Sequence, residues 1–291
     1  MHSDRVAAWQ EQGEFERFRE RRVFVRCNDG AGPALVFLHG FPTSSFDFNQ
    51  LVKRFSGRDW MTFDFLGFGL SDKPRDHDYS LAWQADLATE LIGRHLADRP
   101  VTIVAHDMGT SVATELMARD LAGELPFDLA GVVLFNGSVL LHLATPILGQ
   151  RVLRGPLGAV LAPLNNGPVF RAQLASVFSD GHKPSREELQ DHWELVANNG
   201  GRTMGRKLIS YMDQRERYAE RWHGAVRDWQ GGLAFVWGLS DPVANPDVFN
   251  GLRELSPRAA AFPLPALGHY PHLEDPAVFG AELESALASL Y

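Results

Sequence analysis

Five apolar or β-branched residues, Val101-Thr102-Ile103-Val104-Ala105, run directly into His106-Asp107-Met108-Gly109, and a helix-prone segment from Val112 to Leu121 follows. This order predicts a strand, a sharp turn and a helix. Ala105 and Gly109 flank Asp107 two residues away on either side. A nucleophile elbow needs that spacing, because its turn is so tight that only small neighbours fit around the apex. The common apex residue is Ser; here it is a carboxylate. Asp also caps helices that follow strands, so these ten residues alone admit a purely structural Asp107.

The flanking chain supplies the context an elbow requires. A short polar helix is expected over residues 5–20, leading into a first strand near Arg22 to Arg26, with a turn at Asn28-Asp29-Gly30. Ala34 to Leu38 is a continuous apolar run, as in a strand buried on both faces, and it ends in His39-Gly40-Phe41-Pro42. A short helix to about Phe55 follows. Trp60 to Phe65 reads as a strand opening into the glycine-rich Leu66-Gly67-Phe68-Gly69. Ser80 is placed to cap a helix carrying Leu87, Leu91 and Leu96. After the elbow, Leu129 to Phe135 is another buried strand. Strands alternating with helices predict an α/β fold, a mostly parallel sheet with helices on both faces.

That rhythm stops near Ser138. Up to about Gln230 no segment reads as a strand, prolines recur (Pro146, Pro156, Pro163, Pro168), and Ser185-Arg186-Glu187-Glu188 is a capping box. We read 138–230 as a helical cap inserted into a core made of 1–137 and 231–291. Strand signals return at Leu233 to Trp237 and at Ala259 to Phe262, and a last helix runs from Pro276 to Leu290.

An Asp nucleophile needs a base and a residue to orient that base. In an open α/β sheet both belong on loops past the C-terminal ends of later strands. Asp241 follows the strand ending at Trp237, and His269 follows the one near Phe262. Asp107, Asp241 and His269 therefore stand in the chain order nucleophile, acid, histidine. In this layout the amides of Phe41 and Met108 converge near Asp107 as an oxyanion hole. His39, Gly40 and Pro42 are read as structural parts of the adjoining loop. A metal site from His39, His106, Asp64 and Asp107 lacks any ligand pair at helical metal-binding spacing, so no metal and no cofactor is expected.

Composition narrows the remaining classes. The net charge of −8, without a basic stripe, argues against nucleic acid as a partner. The single cysteine, Cys27, excludes an internal disulfide framework and suits a reducing, cytoplasmic setting. Met1 to Arg22 is charged and has no apolar core, so it reads as neither signal peptide nor membrane anchor. No apolar run reaches ~18 residues, so no membrane partner is expected. The expected partner is a small apolar substrate, and the expected state is a monomer or homodimer.

The chain resembles the α/β-hydrolase superfamily in the branch with an Asp nucleophile, which includes epoxide hydrolases and haloalkane dehalogenases. Within it, His39 to Ser45, Asp64-Phe65-Leu66-Gly67-Phe68-Gly69, Ser71-Asp72-Lys73-Pro74, Pro184-Ser185, Tyr211, His269-Tyr270-Pro271 and Leu273-Glu274-Asp275-Pro276 resemble the mesoderm-specific transcript group and its bacterial relatives. The resemblance runs from about Arg22 to the end. It implies a covalent alkyl-enzyme ester on Asp107, formed without a base because carboxylates are ionised near neutral pH, then hydrolysed by water that His269 activates and Asp241 helps to orient. Dehalogenases of the branch usually carry Trp after the nucleophile and Asn after His-Gly; here these are Met108 and Phe41, and Met108 has no side-chain N–H for a halide. His39 to Pro42 resembles epoxide hydrolases more closely. Those enzymes use cap tyrosines as acids, which implicates Tyr211 first and Tyr218 second. Trp193 and Trp222 are the cap indoles able to replace the missing halide donor, though residues of this size most often pack in cores. Epoxide hydrolysis is the first expectation, haloalkane dehalogenation the alternative, and a non-catalytic ligand-binding protein of this fold the third reading.

Overall fold

The computed structural model describes residues 2–156, 158 and 166–291. Pro163, within the predicted insertion, lies outside them. β1 (Glu14–Phe18), β2 (Arg21–Asn28), β3 (Ala31–Leu38), β4 (Arg58–Phe63), β5 (Val101–His106), β6 (Leu129–Phe135), β7 (Gly232–Gly238) and β8 (Ala260–Leu264) form one sheet in the order 1-2-4-3-5-6-7-8. Only the β1–β2 and β2–β4 pairings are antiparallel. β5 lies in the middle, parallel to β3 and β6, with every residue buried.

Successive side chains on a strand face opposite sides, and here the two sides feed two helix layers. Val36, Leu38 and Ile103 pack with Leu87, Leu91, Val112 and Leu116. Leu35, Phe37 and Val104 pack instead with Phe48, Phe279 and Leu283. Full burial of such side chains stabilises by about 1.5–3 kcal/mol each, which fixes the register. Leu38 is paired with Ala105 and His106 with Phe135. The chain therefore leaves β3, β5 and β6 at one level, bringing His39-Gly40, Asp107 and Asn136 to one edge.

The N-terminus corrects the expected helix over 5–20. The helix spans Asp4–Glu11, and residues 14–18 form β1, hairpinned to β2 with Phe18 opposite Arg21. The two turn residues, Arg19 (φ 44°) and Glu20 (φ 66°), adopt the left-handed conformations that tight hairpins demand. Asn or Gly normally signals such a turn, and neither is present.

Between β6 and β7 the described residues contain helices and no strand. Helices include Leu148–Arg154, Gly167–Ala175, Arg186–Ala197, Tyr211–Arg217 and Ala219–Asp228. The Ser185 capping box forms as the sequence suggests: Ser185 Oγ accepts from Glu188 N–H (3.2 Å) and Glu188 Oε2 accepts from Ser185 N–H (2.8 Å). The later part of this segment is tied to the helix after β5, Met108–Leu121. There Glu115 accepts from Arg221 Nε (2.8 Å) and from Trp222 Nε1 (2.9 Å).

Candidate active site

Asp107 sits between β5 and the helix Met108–Leu121 with φ 40° and ψ −109°. A non-glycine residue in this region is strained and needs its surroundings to hold it. Two glycines allow the close approach. A Cβ on Gly40 would lie 2.6 Å from Asp107 Cβ and 3.0 Å from Oδ2, and one on Gly109 would lie 2.5 Å from the Leu38 carbonyl oxygen. The freed space brings the Phe41 amide to the carboxylate, N to Oδ2 at 2.9 Å. Met108 is buried, but among the described residues no hydrogen bond joins its amide to the Asp107 carboxylate. Among the described residues, the Phe41 amide is the one hydrogen-bond donor to the Asp107 carboxylate.

The loop after β8 carries His269. It is held there by its own amide on the Val177 carbonyl (3.1 Å) and by Glu274, whose Oε2 accepts from Gly268 N–H (2.7 Å). His269 Nδ1–H donates to Asp241 Oδ2 at 2.7 Å, leaving Nε2 as the ring's free base. Asp241 is fixed in turn. Oδ1 accepts from the Val243 (2.7 Å) and Ala244 (3.1 Å) amides, and Oδ2 accepts from Asn136 Nδ2 (2.9 Å). Burial lowers the basicity of the His269 ring, but the carboxylates of Asp241 and Asp107 outweigh it, so its pKa lies above 6.5.

His39 is held within the loop: Nε2 accepts from the Phe65 amide (3.0 Å) and Nδ1–H donates to the Gly40 carbonyl (2.9 Å). Pro42 follows in a cis peptide. Asp64 Oδ1 accepts from Ser45 N–H (2.8 Å) and Oδ2 from Leu70 N–H (2.6 Å), which pins the glycine-rich loop. His39 and Asp64 are thus committed elsewhere, and His39, His106, Asp64 and Asp107 do not form a ligand set. A different trio could hold a cation or an ordered water. Asp47, His106 and His272 bring one ligand atom each within 4.8 Å of one another. His106 Nδ1, both His272 nitrogens and Asp47 Oδ1 are buried without hydrogen-bond partners.

A cleft of about 850 Å³, counting its open mouth, lies against this edge. Phe41, Pro42, His269 and Tyr270 form its wall on the sheet side; Leu153, Phe170, Leu174 and Leu208 form the wall on the helical side, with Lys73 at the border. Asp107 is 2% exposed and does not line the cleft directly. Burial lowers the Lys73 pKa to about 8, and its Nζ donates to the Gly69 carbonyl.

The aromatic candidates of the helical segment separate sharply. Tyr211 is buried, its ring 5.6 Å from that of Phe41, and burial together with the Asp107 charge pushes its pKa up. Tyr218 is on the surface, its ring 5.5 Å from that of Trp222. Trp222 gives its N–H to Glu115, and Trp193 packs against Phe170 at 5.6 Å. The Trp222 N–H is therefore engaged by Glu115 and not free for a halide.

A profile described as the alpha/beta hydrolase family matches residues 35–282. The chain belongs to that family. The hydrolase is 50% identical over 290 residues to the putative hydrolase LipZ of Mycobacterium tuberculosis, covering 100% of this chain and 99% of that one. It is 34% identical to the mesoderm-specific transcript protein of Mus musculus, over 95% of this chain and 86% of that one. Among solved structures it resembles a putative lipase of Acinetobacter baumannii AYE (TM-score 0.81, 19% identity, 100% and 97% covered). It also resembles the haloalkane dehalogenase DbeA of Bradyrhizobium elkani USDA94 (TM-score 0.79, 21% identity, 96% and 98% covered). At these identities the structures speak to the fold.

Two residues beside the hydrolase's candidate triad escaped the sequence reading. Asn136, at the end of β6, has φ 43° and bridges Asp241 to both backbone groups of Gly238. Its signal was an Asn-Gly pair at the site edge of a buried strand. Arg215 is 1% exposed, although it stands in the charged run Arg215-Glu216-Arg217-Tyr218 that reads as solvated. Its Nη2 donates to the Asp107 carbonyl (2.7 Å), its Nε donates to Ser111 Oγ (2.7 Å), and Nη2 lies 3.7 Å from Asp107 Oδ1. The four-residue step from Tyr211 to Arg215 was the signal, since such pairs share one face of a helix.

Proposed function

We propose that this hydrolase works through an Asp107 nucleophile and a covalent alkyl-enzyme ester, with epoxides as the substrate class, and that the helical segment 138–230 serves as the cap over its site. The observation that carries this reading is the strained Asp107 carboxylate held on the Phe41 amide at 2.9 Å. A carboxylate that only capped its helix would accept hydrogen bonds from the helix's first amides; the Asp107 side chain makes none. In the first step one carboxylate oxygen attacks an electrophilic carbon, and Tyr211 protonates the oxygen of the opening ring. In the second, His269 Nε2 takes a proton from water, the hydroxide attacks Asp107 Cγ, and the Phe41 amide carries the oxyanion. Attack on a carboxylic ester by the same group would yield an acid anhydride, so alkyl transfer suits an Asp at the apex better than acyl transfer. The mostly apolar cleft favours a small apolar substrate.

Mass spectrometry of His269→Gln after exposure to 1,2-epoxyhexane and 1-bromohexane tests the reading. The expected result is an epoxide-derived adduct on Asp107. An adduct from the bromide alone would make this a dehalogenase, and no adduct from either would favour a ligand-binding role.

A further inference from the structure

The two oxygens of Asp107 are not equivalent. Oδ2 accepts the Phe41 amide. Among the described residues Oδ1 has no such donor and instead faces Arg215 Nη2 at 3.7 Å, with both side chains almost fully buried. Oδ1 is therefore the oxygen free to attack, and it becomes the ester oxygen bonded to the substrate carbon. When hydroxide adds to Cγ, the charge first builds on Oδ2, at the amide. The Cγ–Oδ1 bond then breaks, its electron pair passes to Oδ1, and Oδ1 leaves with the product, taking the proton that His269 removed from water. The ester plus one water thus gives the Asp107 carboxyl group and an alcohol.

We propose that Arg215 is a catalytic residue of this second step, carrying the negative charge that develops on Oδ1 as it departs. The proposal rests on the alkyl-ester reading above. Alkylation removes the charge of Asp107 and leaves a buried guanidinium without its counter-charge. An unpaired buried charge is costly, and the charge appearing on Oδ1 restores the pairing. The interaction is weak with the neutral ester and strong in the transition state for its cleavage, which is the condition for catalysis. The first step runs the other way. Attack consumes the charge on Oδ1, so Arg215 holds the free carboxylate back there. Its remaining contacts, on the Asp107 carbonyl and on Ser111 Oγ, position the guanidinium against the elbow. Its group also lies 4.7 Å from the Tyr211 ring centroid. A residue that merely fastened the elbow would affect both steps alike.

The test separates the steps by rapid quench and intact-protein mass spectrometry, with 1,2-epoxyhexane and 1-bromohexane as probes. In Arg215→Gln the alkyl-enzyme should accumulate: ester decay slows on the order of 10²-fold or more, while bromide alkylation is not slowed. Arg215→Lys, which keeps a charge but not the fork, should recover part of the decay rate. Equal slowing of both steps, or unchanged ester decay, overturns the proposal. If Arg215→Gln does not fold, Arg215→Lys decides it, since an unchanged ratio of decay to alkylation overturns the role. If neither probe alkylates His269→Gln, the ester reading itself falls and this one with it; an adduct there with unaltered decay in the Arg215 variants removes only the role of Arg215.

Discussion

Asn136 and Asp241 are joined side chain to side chain across the ends of β6 and β7, Nδ2 to Oδ2 at 2.9 Å. The same amide group donates to the Gly238 carbonyl (3.0 Å) and accepts from the Gly238 N–H (2.9 Å). Asn136 therefore ties the acid to the sheet before the acid orients His269.

Asn136→Ala should leave Asp241 and both backbone groups of Gly238 short of partners in a buried setting. Each unsatisfied group costs about 1–3 kcal/mol, so urea unfolding should show a loss of at least that size. Ester hydrolysis should slow too, because His269 loses its fixed orienter. A variant as stable as the parent would mean that water replaces the amide without cost.

The acid limb of the second step should follow His269. Only the neutral ring can take a proton from water, and the carboxylates of Asp241 and Asp107 hold its pKa above 6.5 against the effect of burial. In the alkyl-enzyme Asp107 is esterified and uncharged, so the ring's pKa there lies lower than in the free protein, and decay should fall about tenfold per pH unit below it. Asp241→Asn should move the limb to lower pH and slow decay at neutral pH, on the order of 10³–10⁴-fold by analogy with the loss of a triad acid. The raised pKa also adds folding stability that is complete below the unfolded value of ~6.5 and is lost as pH rises through the folded value. A decay rate flat from pH 5 to 8 would remove His269 as the base.

Other histidines, among them His106, His192 and His272, act oppositely on stability. Burial keeps His106 and His272 well below their ordinary pKa and brings His192 down to about 4. The unfolded chain binds these protons below ~6.5 and the folded chain does not, so stability should fall as pH drops from 6.5 towards 4. The slope is up to ~1.4 kcal/mol per pH unit for each group. Asp47, whose carboxyl is pushed up by the same burial, opposes part of this change. Denaturant midpoints between pH 4.5 and 7 measure it. A flat profile would show that the orphaned nitrogens already have partners, such as an ordered water or an ion.

Buried strands and capped helices were legible because burial and capping leave local patterns. Leu129–Phe135 and the Ser185 capping box stand where the residues place them. β1 was hidden because its two-residue turn uses Arg19 and Glu20 in place of Asn or Gly. The residues that the structure brings to one edge, Asp107, Asp241 and His269, lie just beyond strand ends, and strand ends can be read from the sequence. Arg215 could not be read that way. A charged residue in a charged run is solvated unless a distant partner demands otherwise, and Asp107 is 108 positions away. The turn of a helix toward the sheet likewise depends on contacts such as Glu115 with Arg221, not on spacing alone.

Tyr211 is the tyrosine of the helical segment that the structure leaves beside the nucleophile. Its ring lies 5.6 Å from that of Phe41, and the Arg215 guanidinium lies 4.7 Å from its centroid. Burial and the charge of Asp107 raise its pKa, with Arg215 opposing, so the phenol keeps its proton at working pH and can donate it. Opening an epoxide produces an alkoxide far more basic than a phenolate, so the donor is useful in spite of the upward shift. Tyr211→Phe keeps the ring packed against Phe41 and removes only the hydroxyl. Alkylation of Asp107 by 1,2-epoxyhexane should slow by about 10²–10⁴-fold, the usual range for one general acid. Alkylation by 1-bromohexane should be nearly unchanged, because bromide leaves without a proton. Both rates come from the same rapid-quench measurement on the His269→Gln background, where the adduct persists. An equal loss on both substrates would reduce Tyr211 to a wall of the site, and no loss on either would take it out of the reaction.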